Sequence, residues 1–374
     1  MERVAVTIGT FDGVHVGHRA LVSAARRHAD ANDFDRATAP DSGTLAGIRR
    51  GRVIVLAFDP HPARVLRPEF EPPTITSFAR RQALLREAGA DEVVRLDPSS
   101  GVLDLSPEEF ITRSLLPHRP TCVVEGPDFC FGKGRSGTID ALRALGVGHS
   151  FQVEIVPPTE VVLEDHLIAR ASSTLARWLI RQGRVRDAAR VLGRPHRLEG
   201  VVVRGDRRGR SIGIPTANLR TSDLLPSPGV YAAWARVGDG ASLRPAAVNI
   251  GTRPTLAGSD IRVEAHLITE HEFAQQPTPH AAPSLTPLNE WAPVPGQPEY
   301  GWPLTLDLVG WLRDEVRFDS LQSLRAQLTR DCRAALRSLD ARSIQPSPLS
   351  NSKAAIEPPS CDASRASRPP EVCA

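Results

Sequence analysis

The sequence predicts an α/β domain built on a parallel, doubly wound sheet, followed by a small antiparallel β-barrel closed by one amphipathic helix. Three observations carry this. Through the first half, short apolar strand patterns alternate with helical ones, the signature of a parallel sheet covered by helices. Beyond residue 196 the texture changes to short strands separated by Gly/Pro turns, which favours a small antiparallel barrel. Near the end, Leu321, Leu324, Leu328, Cys332 and Leu336 recur at helical spacing within 319–339, one apolar stripe for one core.

The elements follow in order. Residues 3–8 read as a strand, GTFDG as a turn, and 18–29 as a helix carrying Leu21, Ala24, Ala25 and His28 on one face. A polar stretch at 30–51 reads as an inserted loop. Strands are expected at 52–57, 92–96, 121–125 and 151–156, with a helix over 77–89. From Ser173 to Leu192 the pattern is helical, with Gly183 and Gly193 suited to helix C-caps. Barrel strands are expected at 198–204, 229–237, 245–250, 261–268 and 304–309. The proline-rich stretch at 269–299 reads as an insertion, and 343–374, rich in Ser, Pro and Ala, as a disordered tail. With 374 residues, more than one domain is the natural expectation. The division drawn is 1–184, 185–342 and the tail 343–374.

Bulk properties exclude several classes. A formal net charge of +3 is too small to argue for nucleic acid or an anionic membrane. Five scattered cysteines do not make a disulfide framework or a paired zinc site. No basic-then-apolar leader opens the chain and no apolar run approaches a membrane span. A cytoplasmic protein is expected, a monomer or transient oligomer. The basic residues are almost all arginine, a bias compatible with a codon effect.

Two stretches carry chemistry. Gly9-Thr10-Phe11-Asp12-Gly13-Val14-His15-Val16-Gly17-His18 joins a strand to a helix start. Gly9, Gly13 and Gly17 let phosphates approach backbone N–H groups there. His15 and His18, three apart, can face one phosphate, as stabilising charge on a pentacoordinate α-phosphate requires. Ser173 and Thr174, with Ser172 before them, offer hydroxyls at a second helix start, and Arg177 a fork for phosphate. In the second half, Gly200, Gly205, Gly209 and Gly213 precede Pro215-Thr216-Ala217-Asn218. The glycines expose N–H groups to phosphates; the Thr216 hydroxyl and Asn218 carbonyl are hard oxygen ligands suited to Mg²⁺. Residues 261–267 alternate, with Arg262, Glu264 and His266 on one face.

On these motifs the chain resembles the FAD synthetase branch of the HxGH nucleotidyltransferases, specifically the bacterial bifunctional riboflavin kinase/FAD synthetase family. Further segments support the resemblance: Phe58-Asp59-Pro60-His61-Pro62, the 126–137 loop (GPDFCFGKGRSG), Ser172-Ser173-Thr174-Leu175-Ala176-Arg177, GRSIGI-PTAN, Val263-Glu264-Ala265-His266 and Tyr300-Gly301. It covers roughly residues 3–340 apart from the two insertions. Departures are Ala176 where isoleucine is usual, and Glu299 where leucine is expected.

The resemblance implies a Rossmann-like nucleotidyltransferase fold, a riboflavin kinase barrel, and a substrate set of ATP, riboflavin and FMN with Mg²⁺. It implies that Glu264 is the kinase base and that His15 and His18 serve adenylylation. Nucleotide contacts are expected from Gly9, Phe11, Asp12, Gly17, Ser173, Thr174 and Arg177, and at the barrel from Gly205, Gly209, Arg210 and Gly213. Flavin contacts are expected from Asp59, His61, Asp128, Phe129, Arg135 and Arg313. Two other readings exist: a riboflavin kinase whose first half is inactive or takes another substrate, and a non-catalytic flavin sensor. Retention of His15, His18, Asp12 and Arg177 argues against the first; retention of Thr216, Asn218 and Glu264 argues against the second.

Overall fold

The strands of the first half are near-continuous apolar runs because both faces of the sheet are covered. The computed structural model describes residues 2–31, 50–205, 215–238, 243–255, 258–268 and 297–340. The 30–51 insertion is therefore largely outside the described residues, as are most of the 269–299 insertion, the tail, and Gly209, Arg210 and Gly213. Strands β1 (Val4–Gly9), β2 (Arg52–Phe58), β3 (Glu92–Leu96), β4 (Cys122–Glu125) and β5 (Gln152–Ile155) form a five-stranded sheet in the order β3-β2-β1-β4-β5. All its pairings are parallel. This is the expected doubly wound, Rossmann-like arrangement. Ligands bind such sheets outside the carboxyl ends of the strands, where the order reverses. Here that point lies between β1 and β4.

Helix α1 (Val16–Asp30) buries Val22, Ala24, Ala25 and Ala29 against the sheet. The expected stripe is corrected: Leu21 and His28 are only partly buried. Short α2 (Ala63–Leu66) follows β2, and α3 (Phe78–Glu87) starts at the Ser77 cap. A Ser106/Glu109 capping box opens α4 (Pro107–Phe110), and Thr138 caps α5 (Ile139–His149). The sequence reading did not contain α5. Hairpin β6 (Glu160–Val162)/β7 (Ile168–Arg170) leads to α6 (Ser173–Arg181) and α7 (Val185–Leu192). Gly193, left-handed at φ 69°, caps α7, and Gly183 lies just past α6 at φ 72°. A side chain at Gly183 would strike Ser227 and the Tyr231 hydroxyl, so its bare backbone allows barrel and helix to close on each other.

Six strands then form a closed barrel in the order β10-β11-β12-β9-β8-β13. They are β8 (His196–Val203), β9 (Ala217–Arg220), β10 (Gly229–Val237), β11 (Leu243–Thr255), β12 (Gly258–Leu267) and β13 (Pro303–Arg313). Alternation puts Leu198, Val202, Leu219, Val248, Ile250, Val263, Ala265, Leu304, Leu306 and Leu308 inside. Strand β9, which holds Ala217 and Asn218, is not among the expected strands, and β11, β12 and β13 each begin before their expected limits. Val185 of α7 packs into this core, while Ala188, Val191 and Leu192 pack with α6.

The closing helix α8 (Leu321–Asp340) packs through Ala335 and Leu336 on Ala232, Ala247 and Ile268. Its expected stripe holds only toward the C-terminal end, since Leu321 is 66% exposed. Asp331 on the same helix is buried and accepts both Nε and Nη2 of Arg313, at 2.9 and 2.6 Å.

Candidate functional sites

The first site forms where β1 hands over to α1. Asp12 is 3% exposed, and its carboxylate accepts the backbone N–H groups of Ile75 and Thr76 at 3.0–3.1 Å. Arg177 Nη2 donates to the same carboxylate at 2.7 Å, while its Nε donates to the Pro73 carbonyl at 2.8 Å. The Ser173 hydroxyl donates to the Asp12 carbonyl at 2.7 Å. Asp12 thus ties the turn to the 73–76 segment and to the start of α6. A carboxylate so engaged organises the crevice at the position where the sequence expects a nucleotide contact. Arg177 is likewise held by protein on two sides.

His15 is the N-cap of α1: its Nδ1 accepts from Gly17 N–H at 3.1 Å and His18 N–H at 3.3 Å. That bond fixes the tautomer, because a neutral ring accepting at Nδ1 carries its proton on Nε2. His18 stacks on it, ring centroids 3.6 Å apart, and Phe11 meets His18 edge-on at 5.0 Å. Burial, then the charges of Arg194, Arg170 and Arg177, lower the His15 pKa to about 4. Burial and neighbouring His15 hold His18 well below its usual value. Both imidazoles are therefore neutral hydrogen-bonding groups at pH 7, and positive charge comes from the arginines. His18 Nδ1 is buried without a hydrogen-bond partner among the described residues. Phe11 is 1% exposed; it props His18 from the core, where the sequence expected a nucleotide contact. Gly17 is needed because a Cβ there would crowd the His15 ring at 3.0 Å.

The expected flavin contacts of the sheet half lie on the segments that follow β2 and β4. Asp59, after β2, pairs with Arg95 at 2.9 Å and Arg81 at 3.4 Å. His61 Nδ1 accepts the Ala63 N–H at 3.1 Å, and burial lowers its pKa. In the 126–137 loop Phe129 stacks on Phe131 at 5.6 Å, exposed Asp128 pairs with Arg170 at 2.5 Å, and Arg135 is exposed. Thr174 is exposed on the first turn of α6 and Gly9 is partly exposed at the end of β1.

Sequence reasoning missed several residues that build this crevice. Buried Arg81 donates to the carbonyls of Thr10 and Phe58, both at 2.8 Å. Arg194 donates to those of Gly13 at 2.6 Å and Val14 at 3.1 Å, bracing a turn in which Gly13 and Val14 both have positive φ. Burial lowers the Arg194 pKa to about 9. Glu125, at the end of β4, is 2% exposed and accepts the Ile8 N–H at 2.6 Å; burial pushes its pKa well above the carboxylate range. The available signal was the arginine excess itself, since a chain rich in guanidinium donors can spend them on buried carbonyls.

The second site lies on the outside of the barrel. Glu264 on β12 stands directly opposite Asn218 on β9, and Asn249 on β11 faces Glu264 from the other side. Side chains opposite one another in an antiparallel pair share a face, with Cβ atoms about 5 Å apart. Three polar residues thus form one row, each half-buried, while Val263 and Ala265 turn inward. His266 donates from Nδ1 to the Pro215 carbonyl at 2.8 Å, holding the segment that carries Thr216. A Cβ at Gly205 would collide with the Asn218 side chain, so the chain just past β8 runs against Asn218 only because position 205 is glycine. A cavity of about 280 Å³ opens beside Asn218, lined by Arg204, Gly205, Arg220, Thr221 and Arg262 among others. The donor set of Thr216 hydroxyl, Asn218 carbonyl and a nearby carboxylate fits a hard divalent cation. Arg313 is not in this row: Asp331 and the Asp314 carbonyl, at 2.7 Å, take its donors.

Comparison with known proteins finds two families in tandem. The FAD synthetase family model matches residues 1–39 and 44–171, and the riboflavin kinase model residues 192–339. A bifunctional riboflavin kinase/FMN adenylyltransferase of Escherichia coli strain K12 is 31% identical over 88% of this chain and 91% of its own length. Proteins with the same description from Pseudomonas fluorescens (33% identity, 88% and 91%) and Bacillus subtilis strain 168 (28%, 89% and 91%) match similarly. A crystal structure described as a macrolide-efflux protein from Streptococcus pneumoniae superposes with a TM-score of 0.70 at 27% identity, covering 90% of this chain and 94% of that one. No described helix here is long and apolar enough to cross a membrane. With two domain families in tandem and relatives aligned along most of its length, the chain belongs to the family of bifunctional riboflavin kinase/FMN adenylyltransferases.

Proposed function

We infer that the barrel phosphorylates riboflavin to FMN with ATP and that the parallel-sheet half adenylylates FMN to FAD. The observation carrying most weight is that one chain holds both constellations: paired histidines at the head of α1, and the Asn218–Glu264 pair across β9 and β12. The functional division runs at residue 185, with 1–184 for adenylylation and 185–342 for the kinase.

At the barrel, Glu264 accepts the proton of the riboflavin 5′-hydroxyl as that oxygen attacks the γ-phosphate; a positioned carboxylate suits this role. Thr216 and Asn218 would hold Mg²⁺, which neutralises charge on the ATP phosphates when bound. Gly205 and the sequence beyond it, Gly209, Arg210 and Gly213, offer donors to the phosphate chain. In the sheet half, the FMN phosphate attacks the α-phosphate of a second ATP and pyrophosphate leaves. His15 donates from Nε2 and His18 lies against it, so two neutral donors meet the developing charge while Arg177, Arg170 and Arg194 supply the positive field. Asp12 and the Ser173 hydroxyl keep α1 and α6 in register, and Thr174 faces the triphosphate. The flavin side of this crevice is formed by Asp59, His61 and the loop carrying Asp128, Phe129 and Arg135.

The test is incubation of purified protein with riboflavin, ATP and Mg²⁺, separating the flavins by chromatography over time. FMN appearing first and FAD following is the expected course. FMN accumulating without FAD, even when FMN and fresh ATP are supplied, would overturn the assignment of the sheet half.

A further inference from the structure

At the opposite end of α1 from the paired histidines, three side chains of different elements converge. Cys122 opens β4, Glu154 lies on β5, and His28 belongs to the last turn of α1. Register puts them together: Cys122 pairs with Gln152 and Val124 with Glu154, so Cys122, Val124 and Glu154 point to the same face of the sheet. That face is the one α1 covers, since Cys122 and Val124 pack with Ala24, Ala25 and Ala29. One ligand atom from each of His28, Cys122 and Glu154 lies within 4.8 Å of the other two. His18 and His28 are ten residues apart on one helix, about 15 Å along its axis, so the cluster is separate from the nucleotide crevice.

We propose that His28, Cys122 and Glu154 bind a borderline transition-metal ion of the zinc type, with a water completing four-fold coordination. One imidazole nitrogen, one thiolate and one carboxylate form a mixed N/S/O set, and such sets belong to zinc rather than to magnesium or calcium. Zinc–ligand bonds of about 2.0–2.3 Å put tetrahedral ligand atoms roughly 3.5 Å apart, so closure asks for about 1 Å of side-chain movement. His28 and Glu154 are only partly buried; they have room to move and open the site to solvent, while Cys122 is the fixed ligand, 1% exposed. Burial and Arg3 lower the His28 pKa, leaving the imidazole neutral as ligation requires. The Cys122 thiol, which burial pushes up to about 12, gives its proton to solvent as the metal–sulfur bond forms. The bound ion would staple the tail of α1 to β4 and the edge strand β5.

The probe is Co²⁺, titrated into the full-length, tag-free, reduced and chelator-treated protein. One equivalent should produce a thiolate-to-cobalt charge-transfer band and the intense visible absorption of four-coordinate cobalt, both bleached by Zn²⁺. Cys122→Ser should abolish the charge-transfer band while FAD formation from supplied FMN, the control for folding of the half that carries Cys122, persists. Glu154→Gln, a milder change at a half-buried position, should weaken Co²⁺ binding at least tenfold without altering the Tm of the metal-free protein. Absence of the band, its survival in Cys122→Ser, or unchanged affinity in Glu154→Gln would each overturn the proposal.

Discussion

The crevice of the parallel sheet and the outer row of the barrel use polar side chains in opposite ways. In the crevice, protein groups take up much of the hydrogen-bonding capacity of the motif residues: Asp12 holds Ile75, Thr76 and Arg177, His15 caps its own helix, and Arg194 braces the turn. In the barrel row, backbone pairing puts Asn249, Glu264 and Asn218 side by side. A loop-built site must brace itself because irregular backbone has no ladder to hold it. A strand-built site inherits its geometry from the register. The same substitution chemistry should therefore have different consequences in the two places.

The largest effect is expected in the barrel and should be purely chemical. Glu264→Gln keeps the shape of the row and removes the proton acceptor, so FMN formation should fall on the order of 10²- to 10⁴-fold. The Tm should hardly change, and FAD formation from supplied FMN should stay at the wild-type rate. Loss of both activities together would mean that the sites are not separable. In the crevice, Asp12→Asn is the counterpart, and here stability should go with activity. It leaves the buried Arg177 guanidinium without its carboxylate (side chains 11% and 5% exposed), a loss of about 3–5 kcal/mol for a broken buried pair. Urea unfolding should register the change, FAD formation should collapse, and the barrel kinase should keep its turnover wherever the chain remains folded.

This contrast also explains what could be read from the sequence. The 9–18 turn, the strand alternation and the Glu264 strand are contiguous patterns, and local periodicity reports them. Asn218 was legible as a ligand type but not as a strand residue, because Pro215 ahead of it signals a turn; its pairing with Glu264 is a tertiary fact. Arg81, Arg194, Thr76 and Glu125 were invisible for the same reason: each meets the turn or β1 from at least 63 positions away in the chain. Helix α5 was missed because Gly146 and Gly148 weaken its helical pattern. Gly146 is there because a Cβ would strike the Phe151 carbonyl, a contact no propensity encodes.

Acid should attack both regions, by one mechanism. His15 in the crevice and His196 in the barrel each have a folded pKa of about 4 against 6.5 when unfolded. Between those values the unfolded chain binds more protons than the folded one, so stability is full above pH 6.5 and falls as pH drops toward 4. Each histidine accounts for on the order of 3 kcal/mol across the window. His196 donates from Nε2 to the Leu224 carbonyl at 2.7 Å, a bond glutamine can imitate. His196→Gln should therefore flatten the denaturation-versus-pH slope only in part and leave the share of His15 and His18, whose folded pKa burial also holds well below the usual value. An unchanged slope would assign the whole acid response to the crevice.

The smallest effect is expected where a functional residue was anticipated and the structure shows a clamp. Arg313 reaches Asp331 through two donors, leans its guanidinium over the Phe318 ring at 5.8 Å, and so ties β13 to α8. Arg313→Lys keeps the charge but loses the planar fork that makes both bonds at once. Asp331 is 3% exposed, so it cannot recover the lost bond from bulk water, and a charge-assisted bond of this kind contributes about 1.5–3 kcal/mol. Part of that returns through the lysine ammonium, leaving a net loss of about 1–2 kcal/mol, visible as a lower Tm. The KM for riboflavin should not move, because the lost bond lies between strand and helix rather than in the Asn249–Glu264–Asn218 row. A raised KM at unchanged Tm would put Arg313 back beside the flavin, and the barrel site would then extend from its strand row onto the closing helix.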